Sequence, residues 1–241
     1  MYAESEGLRV IGDDPHHVLV IDPVDGTRGA AADLEMACGP VAAARFGPAP
    51  TIADIEYAML KEIKIGQWMY ADVHCNGIKS GGYPDPVPNV GKTEDPERMF
   101  WSLEFNGHPA RLMIDAYGHL VDASANRGGV YVFNSASFSI SRIITGQMDA
   151  YVGIGHRLLR DHPETETDFR RVGHGNILHL FPDDIAASVF LAERAGVVIT
   201  DAYGVPLGDT LLLEIDPGNQ RSCIAACTPR LHASLLSAIR W

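Results

Sequence analysis

The chain has 241 residues, 46% of them hydrophobic, enough for one large domain or two small ones with an ample core, and this excludes a disordered class. A formal charge of −12 argues against nucleic acid or an anionic membrane as a main partner. No apolar run approaches the roughly 18 residues that span a bilayer, and the start "MYAESEGLRV" is no signal peptide.

In chain order, the pattern alternates strand-like and helix-like segments, the signature of layered α/β structure. Strands are predicted at 17–22, 39–46, 54–60, 64–72, 99–105, 129–133, 148–154 and 196–200. Helices are predicted at 109–124, 135–146, 183–196 and 229–241. Two stretches read as loops by composition: the Pro- and Gly-rich 79–98 and the charged 155–176. No repeat, low-complexity tract or linker divides the chain, so a single domain is expected, with residues 1–130 and 131–241 as two tightly packed lobes. Four scattered cysteines suit a reducing, cytoplasmic compartment, and Cys223 and Cys227 in the apolar "SCIAACTP" read as buried thiols.

The segment "VIDPVDGTRG" carries the first chemical signal. Asp22 and Asp25 stand three residues apart directly behind an apolar strand, with Pro23 to stop the strand and Gly26 to turn the chain. Two carboxylates so placed repel each other unless a cation lies between them. Two further acidic sites accompany them: Glu4 and Glu6 upstream, and Asp183 and Asp184 opening an apolar helix. Alone, each has an ordinary explanation as a solvated terminus or a helix N-cap. Together, oxygen ligands without His or Cys nearby in sequence suit a hard cation, Mg²⁺, with Mn²⁺ as a substitute. The backbone N–H groups of Gly26 and Thr27 can form an anion nest beside it. A phosphate bridging metal and nest, with Glu4 orienting or deprotonating a water, points to metal-assisted hydrolysis.

"DPVDGT" resembles the first signature of the inositol monophosphatase superfamily of Mg²⁺-dependent, lithium-sensitive phosphatases. "DDIAASVFLAERAGVVITDAYGVPL" resembles its second signature, "AESEG" its upstream Gly-Glu-Glu element, and "GQMDAYV" and "CIAACTPRLHASLL" its later segments. The resemblance implies a layered α/β/α/β/α sandwich. It also implies Glu4, Asp22, Asp25, Asp184 and the Val24 carbonyl as metal ligands, with Glu4 and Thr27 as the catalytic pair acting on water. Substrate contacts are implied at Asp25, Gly26, Thr27, Asn134, Ser135 and Ala136. Asp184 rather than Asp183 takes the ligand position because "IAAS" follows it directly.

The family begins with a helical Asp-x-x-Thr-x-x-Asp segment, and the chain as given starts after it. The implied activity is hydrolysis of a phosphomonoester on a small metabolite: an inositol phosphate, sugar phosphate or phosphorylated nucleotide. The rival is a relative that binds metal and phosphate without turnover. Partners reduce to that metabolite and, at most, a second copy of the chain in a homodimer. Residues 160–178 read as an insertion. His156, His162, His174 and His179, in or beside it, are expected in a solvated loop, and Arg170 and Arg171 in a lid that meets a second anionic group.

Overall fold

Alternating burial along 17–21, 38–45 and 68–72 shows why these segments become strands of a sheet with two unlike faces. The computed structural model describes residues 1–4 and 6–240. The first sheet takes β1 (Tyr2–Ala3), β2 (Gly7–Leu8), β3 (His17–Ile21), β4 (Cys38–Arg45), β5 (Ile55–Glu62), β6 (Trp68–Asp72) and β7 (Lys79–Gly81), in the order β2-β1-β3-β4-β5-β6-β7. Its pairings are antiparallel except for β1 with β3. The second sheet takes β8 (Phe100–Leu103), β9 (Gly129–Tyr131), β10 (Ala150–Gly153), β11 (Val198–Thr200) and β12 (Cys223–Ala226), in the order β11-β12-β10-β8-β9. The chain thus changes sheet between Gly81 and Phe100, well before the lobe boundary expected at residue 130.

Helices α1 (Thr27–Ala31), α2 (Ala110–Ser124), α3 (Ala136–Ile144), α4 (Gly155–Asp161), α5 (Glu166–Val172), α6 (Pro182–Ala195) and α7 (Pro229–Ser237) complete the mixed α/β architecture. The predicted C-terminal helix stops at Ser237, and Trp241 lies outside the described residues. Helices α3 and α6 pack together between the sheets, while α2 and α7 lie against the second sheet. All nine residues of α3 are buried, which its run "ASFSISRII" permits because small serines alternate with Phe and Ile. The inner face of the first sheet offers Ala42, Ala44, Ala58 and Ala71, short side chains that let α6 lie close. A buried ion pair between Arg142 of α3 and Glu62 of β5, supported by the Tyr83 hydroxyl at 2.8 Å, fastens that layer to the sheet.

The outer face of the first sheet differs. Its cross-strand row Ile21, Val41, Met59 and Tyr70 stays half-buried, as do Leu19, Tyr57 and Trp68.

The charged stretch 155–176 is helical rather than a loop. It forms α4, a 3₁₀ turn at Pro163–Thr165 and α5, and one buried apolar residue anchors each helix, Leu158 in α4 and Phe169 in α5. His179 is buried as well, not solvated. The 79–98 stretch carries the short strand β7 and one 3₁₀ turn at Pro96–Arg98. Cys38, Cys223 and Cys227 are buried free thiols, and burial pushes each thiol pKa up. Among the described residues, no helix is long and apolar enough to cross a membrane.

Candidate metal centre

Backbone bonds in the turn after β3 place the first two carboxylates. The Asp22 N–H donates to the Pro40 carbonyl at 3.3 Å, and Asp25 exchanges a bridge pair with Cys38 at 2.8 and 3.0 Å. The Asp22 carboxylate accepts the Val24 N–H at 2.9 Å, which folds the Pro23 corner back on itself. Gly26 then adopts φ 87°, and a Cβ there would stand 2.7 Å from the Met36 carbonyl oxygen, so glycine is required on both counts. Thr27 opens α1 and donates its hydroxyl to the Val24 carbonyl at 2.8 Å.

The third carboxylate arrives from α6. Pro182 sets the first turn, and Asp184 accepts the Phe181 N–H at 2.7 Å. Its backbone carbonyl is held by the Ser137 hydroxyl at 2.8 Å, and that hydroxyl accepts from Ser188 at 2.7 Å. The Ser137 N–H donates to the Asp25 carboxylate at 2.7 Å. Ser137 therefore ties the two signature segments to each other across the layer.

By these contacts Asp22, Asp25 and Asp184 each offer an oxygen within 4.8 Å of the others. Asp22 and Asp25 are 3% and 7% exposed. Burial first, and then the neighbouring negative charge, raises the Asp25 pKa to about 8. Burial likewise raises Asp22 to about 7, with the Glu4 charge adding to it. Asp184 is pushed well up by burial and by Asp183 and Asp25. Among the described residues, no Lys, Arg or His forms an ion pair with any of the three. Two buried carboxylates and a half-buried third, converging without a counter-cation, fit a hard divalent ion, whose charge offsets their desolvation and repulsion together. The buried Asp183 carboxylate beside them has one oxygen without a hydrogen-bond partner.

The carboxylates open on a cleft of about 570 Å³ that Glu4, Val24, Gly26, Thr27, Asn134 and Asp183 also line. Glu4 is exposed at its rim, where its N–H reaches the Ile21 carbonyl at 3.3 Å, and it stands outside the 4.8 Å cluster. Asn134 adopts φ 53° and keeps its buried side-chain oxygen without a partner. Ser135 is buried, and its hydroxyl caps α3 through the Phe138 N–H at 3.1 Å. Ala136 lines a smaller cavity of about 50 Å³ behind the cleft.

That inner cavity brings in Glu104 and His108, which the sequence does not single out, beside His179. Glu104, 4% exposed, follows β8 as Asp22 follows β3, and its carboxylate accepts the Asn106 N–H at 2.8 Å. Burial raises its pKa. An acid closing a buried apolar strand in "FWSLEFNG" is the same signal as in "VLVID", and it could have been read there. His108 and His179 lie next to it with ring centroids 5.4 Å apart. Nothing in sequence spacing joins those two, since 71 residues separate them.

No protein-family model matches the sequence, and no curated protein matches it in sequence. In three dimensions, two multi-strand sheets with helices between and beside them define the fold of the inositol monophosphatases. The extragenic suppressor protein suhB from Bartonella henselae superposes with a TM-score of 0.69 at 16% identity, over 98% of this chain and 75% of that one. Inositol monophosphatase II from Staphylococcus aureus gives 0.66 at 16% identity over 98% and 71%. The inositol monophosphatase from Anabaena gives 0.64 at 19% identity over 98% and 76%.

Proposed function

We propose that the protein is a metal-dependent phosphatase acting on a phosphomonoester of a small metabolite. The observation that carries this reading is the convergence of Asp22, Asp25 and Asp184, from segments far apart in sequence, into one largely buried cluster that has no counter-cation among the described residues. Asp22, Asp25, Asp184 and the Val24 carbonyl would hold Mg²⁺ or Mn²⁺, with Glu4 closing the set from the rim. The chemistry such an ion supplies when bound is polarisation of a phosphate oxygen and acidification of a water.

The chain's own residues do the rest. Backbone N–H groups of Gly26 and Thr27 receive phosphate oxygens, which orients the phosphorus toward the cleft. The Glu4 carboxylate takes the proton that the attacking water gives up as its oxygen bonds to phosphorus. The P–O bond to the metabolite then breaks, and the leaving oxygen is protonated from solvent. Thr27 holds the Val24 carbonyl and so keeps the Asp-Pro-Val-Asp turn in register. Asn134 and Ala136 would meet the organic part of the substrate. The protein works in the cytoplasm on this reading.

A panel of inositol, sugar and nucleotide phosphates assayed with Mg²⁺, with EDTA and with Asp25→Asn tests the proposal. Metal-dependent phosphate release that Asp25→Asn lowers by about 10²-fold or more supports it. A second reading, binding without turnover, rests on Thr27. Among the described residues no carboxylate accepts its hydroxyl, which donates only to Val24. A metal-induced rise in melting temperature with no phosphate release from any substrate would favour that reading.

A further inference from the structure

A second concavity lies on the far side of the buried histidines from the acidic cleft. It has a volume of about 460 Å³ and is lined by His156, Arg160, Asp201, Tyr203, Gly218 and Arg221. Helix α4 supplies His156 and Arg160 one turn apart, on one helix face. The Arg160 guanidinium stands over the Tyr203 ring at 5.4 Å and, among the described residues, forms no ion pair. The hydrogen-bond partners of Arg221 are neutral groups, and the nearby Asp201 charge acts on it through space. Its Nε–H donates to Thr210 Oγ1 at 3.0 Å, and its other donors reach the Gly218 and Gln220 carbonyls and the Asn219 side-chain oxygen.

The one carboxylate in the wall is already engaged. Asp201 accepts the Tyr203 and Val205 N–H groups at 2.8 Å each. Two guanidiniums and the single Asp201 carboxylate therefore face one cavity, and among the described residues neither Arg160 nor Arg221 forms an ion pair, which leaves the wall net positive in a chain of net charge −12. A wall whose two guanidiniums outweigh its one carboxylate focuses an anion into such a cavity. The half-buried His156 imidazole feels both charges, since Arg221 and Arg160 add to burial in lowering its pKa. His156 also meets His179 with ring centroids 5.5 Å apart, and His179 lines the acidic cleft. Two imidazoles thus separate a basic pocket from an acidic one.

We propose that the His156–Arg160–Arg221 pocket is a binding site for a phosphate dianion, separate from the acidic cleft. The Arg160 guanidinium, lying over the Tyr203 face, and the Arg221 Nη2–H left over from its internal bonds suit the oxygens of a phosphate group. Inorganic phosphate and a phosphomonoester share this chemistry. The pocket is built from α4 and the turns at 201–203 and 218–221, so it stands whether or not the cleft hydrolyses anything.

The test uses the full chain in EDTA, where no cation draws phosphate into the acidic cleft. Inorganic phosphate and glycerol 2-phosphate are titrated separately at constant ionic strength, with chloride as the control. The imidazole resonance of His156, identified by its loss in His156→Gln, reports occupancy. The expected result is a saturable shift with phosphate, weakened about tenfold in Arg160→Ala, whose side chain is exposed and holds nothing else in place. Arg160→Ala should keep the Mg²⁺-induced rise in melting temperature, which isolates the effect from the cleft. Arg221→Lys, which keeps the charge and loses the fork, should weaken binding less than Arg160→Ala. Tighter binding of the monoester identifies a metabolite as the ligand, and equal binding identifies phosphate itself. A resonance that phosphate moves no more than chloride does, or an Arg160→Ala titration identical to the wild type, would overturn the proposal.

Discussion

At the residue scale, the cleft carboxylates and the buried histidines pull stability in opposite directions with pH. Asp22 and Asp25 have folded pKa values raised to about 7 and 8, above their unfolded values. Their contribution in the metal-free protein is complete at low pH and is lost as pH rises through the folded values. His108, lowered by burial to about 4, acts the other way: its contribution is present above the ordinary histidine pKa and lost as pH falls toward 4. His179 is lowered by burial too. Below about pH 6.5 the two groups oppose each other, and above it only the carboxylates act. The melting temperature in EDTA should therefore fall between about pH 6.5 and 8.5, and saturating Mg²⁺ should flatten that fall. A parallel pair of curves with and without metal would refute the assignment. Gly26→Ala tests the turn itself. The clash with Met36 and the positive φ together should cost about 1–3 kcal/mol in a denaturation midpoint measurement.

At the element scale, α5 shows how a charged segment becomes part of the core. Arg170 pairs with Glu166 and Arg171 with Asp168 on its own surface, and neither arginine lines the acidic cleft. Such exposed pairs contribute about 0.2–0.5 kcal/mol each. Replacing both arginines with Ala should lower the melting temperature by a degree or two at most (roughly). It should leave KM for mono- and bisphosphorylated substrates alike unchanged, in contrast to a lid. Phe169 on the same helix is fully buried against His108 and His179, at 5.8 and 5.3 Å between ring centroids. Phe169→Ala should cost about 3–5 kcal/mol and be seen directly in urea unfolding. One helix face is dispensable, and the other packs on His108 and on His179, one of the two imidazoles between the cavities.

At the scale of the whole molecule, the two faces of the first sheet set the chemistry apart from the surface. The inner face is closed by α3 and α6, and through Ser137 this packing places the third carboxylate beside the first two. The outer face leaves Ile21, Val41, Met59 and Tyr70 half-buried in one continuous row. A contiguous apolar surface of this kind takes up hydrophobic dyes and favours self-association. The 241-residue chain should enhance the fluorescence of such a dye, and Met59→Lys should reduce it without changing the Mg²⁺-induced rise in melting temperature. Dye binding that Met59→Lys leaves untouched would place the apolar surface elsewhere.

The sequence by itself determined the strand before Asp22, the glycine turn after Asp25, the helix that opens at Asp184, and the hard-cation character of the acids. Each of these follows from local rules: period-two burial, a proline stop, a positive φ, and the chemistry of oxygen ligands. The two short helices within 155–176 each bury a single large apolar side chain, Leu158 and Phe169, too few to show a helical period among the charges around them. Only the tertiary structure decided that Asp22, Asp25 and Asp184 meet within 4.8 Å, because that distance depends on α3 and α6 filling the space between two sheets. It alone buried Glu104, His108 and His179 together, and it alone set Arg160 opposite Arg221. Pattern along a chain reports which way a side chain faces. Which other side chain it faces depends on how the layers stack, and that is fixed by packing between segments that sequence spacing does not relate.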